Sequence, residues 1–220
     1  MDLRFKIVEE WQVWYSLVKG ERIVRSVLIA WLCGKFDIWS YNNKIWGGSI
    51  PSFPWKGIWK IKNPKRVAFF MWIAAHGQIL TLDNLMLRGL PLVNQCCMCY
   101  CNEEIVDHLL LHCLVAHSLW VRMLQVYGIQ WVMPGFVESL VSCWSFWMGK
   151  FSSDIWNMVP GCLMWVVWME RNRCSFEAKE KSIVQLQALC QSTLFDRSRS
   201  WGSLTCSSII EFLSSLSFIP

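Results

Sequence analysis

The sequence predicts a mainly α-helical protein: a small helical domain organised around one dense group of cysteines, with appended C-terminal helices. Three observations lead to this class. Apolar side chains recur at helical spacing from Val67 to Ala74. Residues that cap helices precede other apolar stretches, as Ser182 does. Five of the eleven cysteines fall between Cys96 and Cys113, which indicates one local site rather than a disulfide framework spread over the chain.

Composition limits the class of protein further. Hydrophobic residues make up 54% of the 220 residues and charged residues 17%, which is too apolar for a disordered chain. A membrane-spanning helix needs about 20 apolar residues, and the most apolar stretches, 26–33 and 158–169, are short or interrupted by Pro160. Acidic residues near the N-terminus do not fit a signal peptide. We therefore expect an intracellular protein, nuclear or cytoplasmic, that is not secreted and has no membrane partner.

Breaks in the helical pattern divide the chain into three expected regions. Residues 1–52 form an N-terminal helical segment and linker, residues 53–128 a domain that contains the cysteine group, and residues 129–220 a C-terminal helical region. The first boundary falls among the Asn, Gly and Pro residues between Asn42 and Pro54, which break helices. The second follows Gly128, which ends a helix predicted from Leu114 to Tyr127.

Two helices are predicted ahead of the cysteine group. Pro64 suits the start of the helix that carries the apolar face from Val67 to Ala74. Thr81 is the expected N-cap of a short helix that Gly89 closes. Both predictions rest on local start and stop signals.

Two more helices are predicted in the C-terminal region. A long helix begins near Asp154, and Pro160 is expected to kink or restart it because proline donates no backbone hydrogen bond. A later helix begins at Ser182, which forms a capping-box spacing with Gln185.

The cysteine group has the spacing of a metal site. The pattern is Cys96-x2-Cys99-x8-His108-x4-Cys113, in which a tight turn can place two thiolates on one ion and the downstream residues can complete a tetrahedron. Thiolates with one imidazole favour zinc over magnesium or calcium. The alternative is a cluster of buried free cysteines. The polar residues in this segment make it a poor place to bury thiols, so the spacing favours zinc.

Spacing alone leaves the choice of ligands open. Cys97 and Cys101 compete with the cysteines of the Cys-x2-Cys pair, and His112 competes with Cys113. His108 and His112 are four residues apart and would share a helix face. Several four-ligand sets are therefore compatible with the spacing.

A basic stretch precedes the cysteine group. From Ile38 to Leu82 the chain has no Asp or Glu. Lysine and arginine side chains neutralise phosphates, and exposed indoles stack on unpaired bases, so this stretch is the best candidate for binding RNA or DNA. The alternative is a solvated loop in which Trp55 and Trp59 are core residues. The candidate nucleic-acid-binding residues are Lys56, Lys60, Lys62, Lys65 and Arg66.

Several separated motifs resemble one known family. The segments from Trp59 to Trp72, from Ile79 to Leu85, from Cys96 to Trp120 and from Trp168 to Phe176 are similar, in this order, to the reverse transcriptase zinc-binding domain of plant LINE-type (non-LTR) retroelement proteins. The resemblance implies a ligand set of Cys96, Cys99, His108 and Cys113 around one structural Zn²⁺. Cys97, Cys101 and His112 would then be bystanders.

The resemblance does not imply an enzyme. The chain contains no Asp-Asp pair, which a polymerase site would need to hold two metal ions, and the pair Gly47–Gly48 lacks the residues of a phosphate-binding loop. We expect a non-catalytic, retroelement-derived zinc-binding module without a small-molecule substrate that binds nucleic acid. The alternatives are a structural or protein-interaction module that packs on the polymerase domain of a parent element, and a decayed relic without activity. On zinc loss, we expect the helices from Ser153 onward to change least.

Overall fold

A computed structural model describes residues 55–147, 154–202 and 207–216. The chain divides into two compact units, residues 1–52 and 53–220, and the described residues all belong to the second. The helical segment and linker expected in residues 1–52 lie outside them. The further boundary expected after Gly128 stays a prediction.

The described residues contain α-helices and one π-helical turn, and no strand, which confirms the predicted fold class. None of the described helices is long and apolar enough to cross a lipid bilayer. The elements in chain order are α1 (Trp55–Trp59), α2 (Lys65–Ala75), α3 (Leu82–Leu87), the π-helical turn (His108–His112), α4 (Leu114–Val126), α5 (Val137–Trp147), α6 (Asp154–Glu177), α7 (Ile183–Ser200) and α8 (Ile209–Leu216).

Helix α6 is the centre of the packing. It contacts α2, α4, α5, α7 and the π-helical turn, and most of its side chains are buried because it is covered on several sides. Helix α2 crosses it closely at Gly161. A Cβ atom at Gly161 would lie 2.6 Å from Asn63 Nδ2 and 2.8 Å from Met71 Sδ. Only glycine fits this crossing without a shift of its neighbours.

Pro160 lies inside α6, which is continuous from Asp154 to Glu177. Of the two expected effects, a restart of the helix is wrong and a kink stays a prediction. Proline cannot donate to the carbonyl four residues earlier, which is that of Trp156. The indole Nε1 of Trp144 donates to this carbonyl over 3.2 Å, and the two indoles stack with centroids 4.3 Å apart. A side chain of α5 thus replaces the missing backbone donor.

The predicted helix ends agree with the structure, with one difference in how they are capped. Ser182 and Gln185 form both hydrogen bonds of a capping box, and Gly89 and Gly128 adopt φ values of 86° and 67° after α3 and α4. Thr81 occupies the N-cap of α3, but its side chain makes no cap hydrogen bond. The side chain of Glu104 replaces it and accepts a hydrogen bond from the amide of Leu82.

Candidate metal centre

The structure brings four metal-binding side chains to one point. The donor atoms of Cys96, Cys99, His108 and Cys113 all lie within 4.8 Å of one another. Cys96 and Cys113 are fully buried and His108 is 8% exposed, while Cys99 is half-buried. We call these four residues the donor group, and residues 94–113, which contain them, the cysteine loop.

A tight turn positions the first two thiols. The amide of Tyr100 donates to the carbonyl of Cys96 over 2.9 Å. The amide of Cys96 in turn donates to the carbonyl of Asn102 over 2.8 Å. Tyr100 adopts a φ of 55°, in the left-handed region that a tight reversal of the chain requires. These contacts fold the Cys-x2-Cys pair back so that both sulfurs lie on one side of the turn.

The π-helical turn positions the other two donors. The amide of Cys113 donates to the carbonyl of His108 over 2.6 Å, so the partners are five positions apart in the chain, as in a π-helix. Cys113 is also the N-cap residue of α4. The wider turn therefore brings His108 and Cys113 to the same side of the chain just before α4 begins.

Two of the distances between donor atoms match those expected around a tetrahedral zinc ion. Bonds of about 2.3 Å to sulfur and about 2.0 Å to nitrogen place two sulfurs about 3.8 Å apart, and a sulfur and a nitrogen about 3.5 Å apart. The Cys96 and Cys113 sulfurs are 3.9 Å apart, and the Cys99 sulfur lies 3.3 Å from His108 Nε2. Three soft sulfurs and one imidazole also match the preference of zinc.

The ionisable donors are electrostatically coupled. The Cys96 thiol donates to the Cys113 sulfur, and this hydrogen bond together with burial raises the pKa of Cys96. The same hydrogen bond lowers the pKa of Cys113. Burial lowers the pKa of His108, which favours the neutral imidazole that can bind a metal. Because thiols bind metal as thiolates, zinc binding here would release protons from the cysteine thiols.

The side chains that competed for the site point elsewhere. Cys97 Sγ lies 3.4 Å from Ser175 Oγ, and the exposed Cys101 thiol donates to the carbonyl of Cys99 over 3.0 Å. His112 is exposed, with Nε2 3.2 Å from the carbonyl of Gly135, although it is only four residues from the buried His108. These three side chains lie outside the donor group.

A buried ion pair joins the cysteine loop to α6. Glu104 is fully buried, and its Oε1 accepts from Arg171 Nη2 over 2.6 Å and from Arg171 Nε over 3.0 Å. The same oxygen accepts from the amide of Leu82 over 3.1 Å and so caps α3. Sequence reasoning missed this pair. Its signal was a glutamate inside the cysteine loop and an arginine two positions after the apolar part of α6 ends at Met169.

The basic residues ahead of the loop have different environments. Lys60, Lys65 and Arg66 are exposed, and the Arg66 guanidinium lies 5.8 Å from the ring centroid of Trp165. Lys62 forms an ion pair of 2.6 Å with Asp154. The side chain of Lys56 lies outside the described residues. Trp59 is half-buried. It is therefore neither a fully buried core residue nor a fully exposed indole that could stack on bases.

Residues 36–120 match a protein-family model described as zinc-binding in reverse transcriptase, which confirms the resemblance seen in the sequence. The chain is also similar to an Arabidopsis thaliana protein named "Putative ribonuclease H protein", with 27% identity over 118 residues. The match covers 52% of this chain and only 18% of that relative, so the chain spans a small part of the relative's length. No solved structure matches the chain.

Proposed function

We propose that this chain, whose residues 36–120 match the reverse transcriptase zinc-binding family, holds one structural zinc ion through Cys96, Cys99, His108 and Cys113. The observation that supports this proposal is the gathering of their donor atoms within 4.8 Å. Four protein ligands leave no open coordination position. The ion would therefore supply folding free energy to the cysteine loop rather than chemistry to a substrate.

The function proposed for this zinc-stabilised module is binding of nucleic acid through the basic stretch. Lys56, Lys60, Lys62, Lys65 and Arg66 are the proposed contacts with the phosphate backbone. The exposure of Lys60, Lys65 and Arg66 supports the proposal, as does the absence of acidic residues from Ile38 to Leu82. Lys62 is a weaker candidate because Asp154 already neutralises it. The role of zinc would be to hold in place the cysteine loop, whose Glu104 contacts α3 and α6.

Binding to single-stranded RNA or DNA should weaken as salt increases. Each phosphate contact contributes about 0.7 to the slope of log affinity against log salt for single strands. Lys60→Gln combined with Lys65→Gln should lower that slope by about 1.4, as measured by fluorescence anisotropy over a range of salt concentrations. The matched control is Arg122→Gln combined with Lys179→Gln, which removes the same charge from exposed sites outside the basic stretch. Equal losses in the two variants would contradict the proposed contacts.

An exposed apolar segment supports a second candidate, a module that packs on a polymerase domain of a parent element. Leu87 is 83% exposed and Val93 is 84% exposed, and the nearby Met86, Leu90 and Leu92 are also exposed. Apolar side chains clustered on a surface are typical of protein-binding sites. The same salt titration separates the candidates, since such a module would bind nucleic acid little at any salt concentration.

The chain is proposed to lack polymerase and nuclease activity of its own. The buried carboxylates of the described residues, Glu104 and Glu170, are both engaged: Arg171 binds the first, and Arg173 and the amide of Lys181 bind the second. Neither is available to hold the metal ions that phosphoryl chemistry requires. Primer-extension and RNA-cleavage assays with magnesium or manganese should therefore stay at background. Activity that survives repurification to constant specific activity would contradict this prediction.

A further inference from the structure

Helix α6 directs one buried, firmly oriented side chain at the cysteine loop. Arg171 is 3% exposed, and its Nε and Nη2 both donate to Glu104 Oε1. Its remaining contacts are with its own helix: Nη1 donates to Asn172 Oδ1 over 3.1 Å, and the guanidinium lies 5.2 Å from the ring centroid of Trp168. These neighbours fix the guanidinium in the orientation that binds Glu104.

Glu104 lies between the two parts of the chain that supply the metal donors. Two positions before it, the carbonyl of Asn102 accepts from the amide of Cys96 over 2.8 Å. Directly after it, the carbonyl of Ile105 accepts from the amide of Leu109 over 2.9 Å, and Leu109 follows the histidine of the donor group. A shift of Glu104 would therefore move both the Cys-x2-Cys turn and the π-helical turn.

The same part of α6 makes further contacts with both parts of the donor group. Cys97, which directly follows the first donor, has its Sγ 3.8 Å from the carbonyl of Arg171 and 3.4 Å from Ser175 Oγ. Helix α6 also contacts the π-helical turn. The metal centre is therefore supported by residues far beyond its last ligand in sequence.

We propose that Arg171 is a positioning residue of the metal centre: by holding Glu104, it keeps the two parts of the donor group at the separation that zinc requires. The proposal rests on the proposed zinc site and extends it beyond residues 36–120, which match the family model. Side chains behind metal ligands set metal affinity because they orient those ligands. Lysine should not replace Arg171, since an ammonium lacks the planar fork of N–H donors.

The first test measures zinc affinity by competition with a chromophoric chelator. Arg171→Lys, which keeps the charge but removes the fork, should lower the affinity about 10-fold. The matched control is Val159→Ala, which opens a cavity at a fully buried position of the same helix. Val159 lies about 18 Å along the helix axis from Arg171, so this variant destabilises α6 at a site remote from the ion pair. It should bind zinc as tightly as the parent.

A second variant tests the same role without changing a buried charge. Asn172→Ala removes the acceptor of the hydrogen bond from Arg171 Nη1, and Asn172 is half-buried. It should lower zinc affinity by a smaller factor than Arg171→Lys, because both hydrogen bonds to Glu104 remain. The proposal is overturned when both variants bind zinc as tightly as Val159→Ala. If Arg171→Lys does not fold, Asn172→Ala alone decides between these results.

The second test records the visible absorption of Co²⁺ bound in place of zinc, which reports the coordination geometry rather than the stability of the protein. The parent and Val159→Ala should show the same intense bands of a tetrahedral site. Arg171→Lys should show weaker bands for the same amount of bound Co²⁺, because donors no longer held at the tetrahedral separation admit water as a further ligand. Unchanged bands and affinity with a lower melting temperature would indicate a purely structural role and overturn the proposal.

The two tests together separate the role of Arg171 from the proposed zinc site. A parent that binds neither zinc nor Co²⁺ contradicts the zinc site and, with it, the role of Arg171. A parent that binds one zinc ion, with the same affinity and the same Co²⁺ bands in every variant, supports the zinc site and overturns the role of Arg171 alone.

Discussion

Cys99→Ser and His108→Ala should each release the zinc ion, whereas the parent should contain about one zinc per chain because the donor group forms one closed site. The expected effect is large, since structural zinc supplies on the order of 10–16 kcal/mol of folding free energy in zinc-finger peptides at neutral pH. The measurement is elemental analysis of the purified variants, with circular dichroism to follow the loss of helix. Much helix should remain, because α6 and α7 pack on each other outside the cysteine loop.

Two neighbouring cysteines are the controls for zinc content. Cys101→Ser changes an exposed thiol that donates to the carbonyl of Cys99, and Cys97→Ser changes a thiol directed at Ser175 and the carbonyl of Arg171. Both variants should retain the zinc content of the parent. A loss of zinc in Cys97→Ser as complete as that in Cys99→Ser would show that the proposed ligand set is wrong.

Glu104→Gln or Arg171→Met should destabilise the protein by about 3–5 kcal/mol, because removal of one partner leaves the other charge buried without compensation. Glu104 is fully buried and Arg171 is nearly so, so water cannot replace the lost partner. Urea denaturation monitored by tryptophan fluorescence measures the change in the free energy of unfolding. The matched control is Glu103→Gln, the adjacent exposed carboxylate, which should change stability by less than about 0.5 kcal/mol.

The double variant shows how much of this loss is the ion pair itself. Glu104→Gln combined with Arg171→Met should cost less than the sum of the single variants, because neither charge is then buried alone. Additive losses would mean that the two side chains stabilise the fold independently, and would contradict an energetic link between the cysteine loop and α6.

The same ion pair changes the expected response to zinc removal. From the sequence, the helices beyond Ser153 are expected to change least. Because Glu104 lies in the cysteine loop and binds Arg171 in α6, hydrogen-exchange protection should also fall in the C-terminal half of α6 after chelation. Helices α7 and α8 should keep most of theirs.

The sequence by itself determined the features that depend on neighbouring residues. The apolar face from Val67 to Ala74, the capping box at Ser182 and the glycine after α4 were all readable from local spacing, because helix periodicity and caps involve residues a few positions apart. The metal-binding segment was readable for the same reason. Its Cys-x2-Cys turn and the downstream His and Cys lie within one short stretch of chain.

Only the tertiary structure decided the contacts whose partners are distant in sequence. Glu104 and Arg171 are 67 residues apart, and Asn63 and Arg197 are 134 apart, so no local pattern marks them as pairs. The continuity of α6 through Pro160 depends likewise on the indole of Trp144, which belongs to another helix. A buried charge or a carbonyl without a helical donor requires a partner, but the sequence does not say which side chain packing will bring to it.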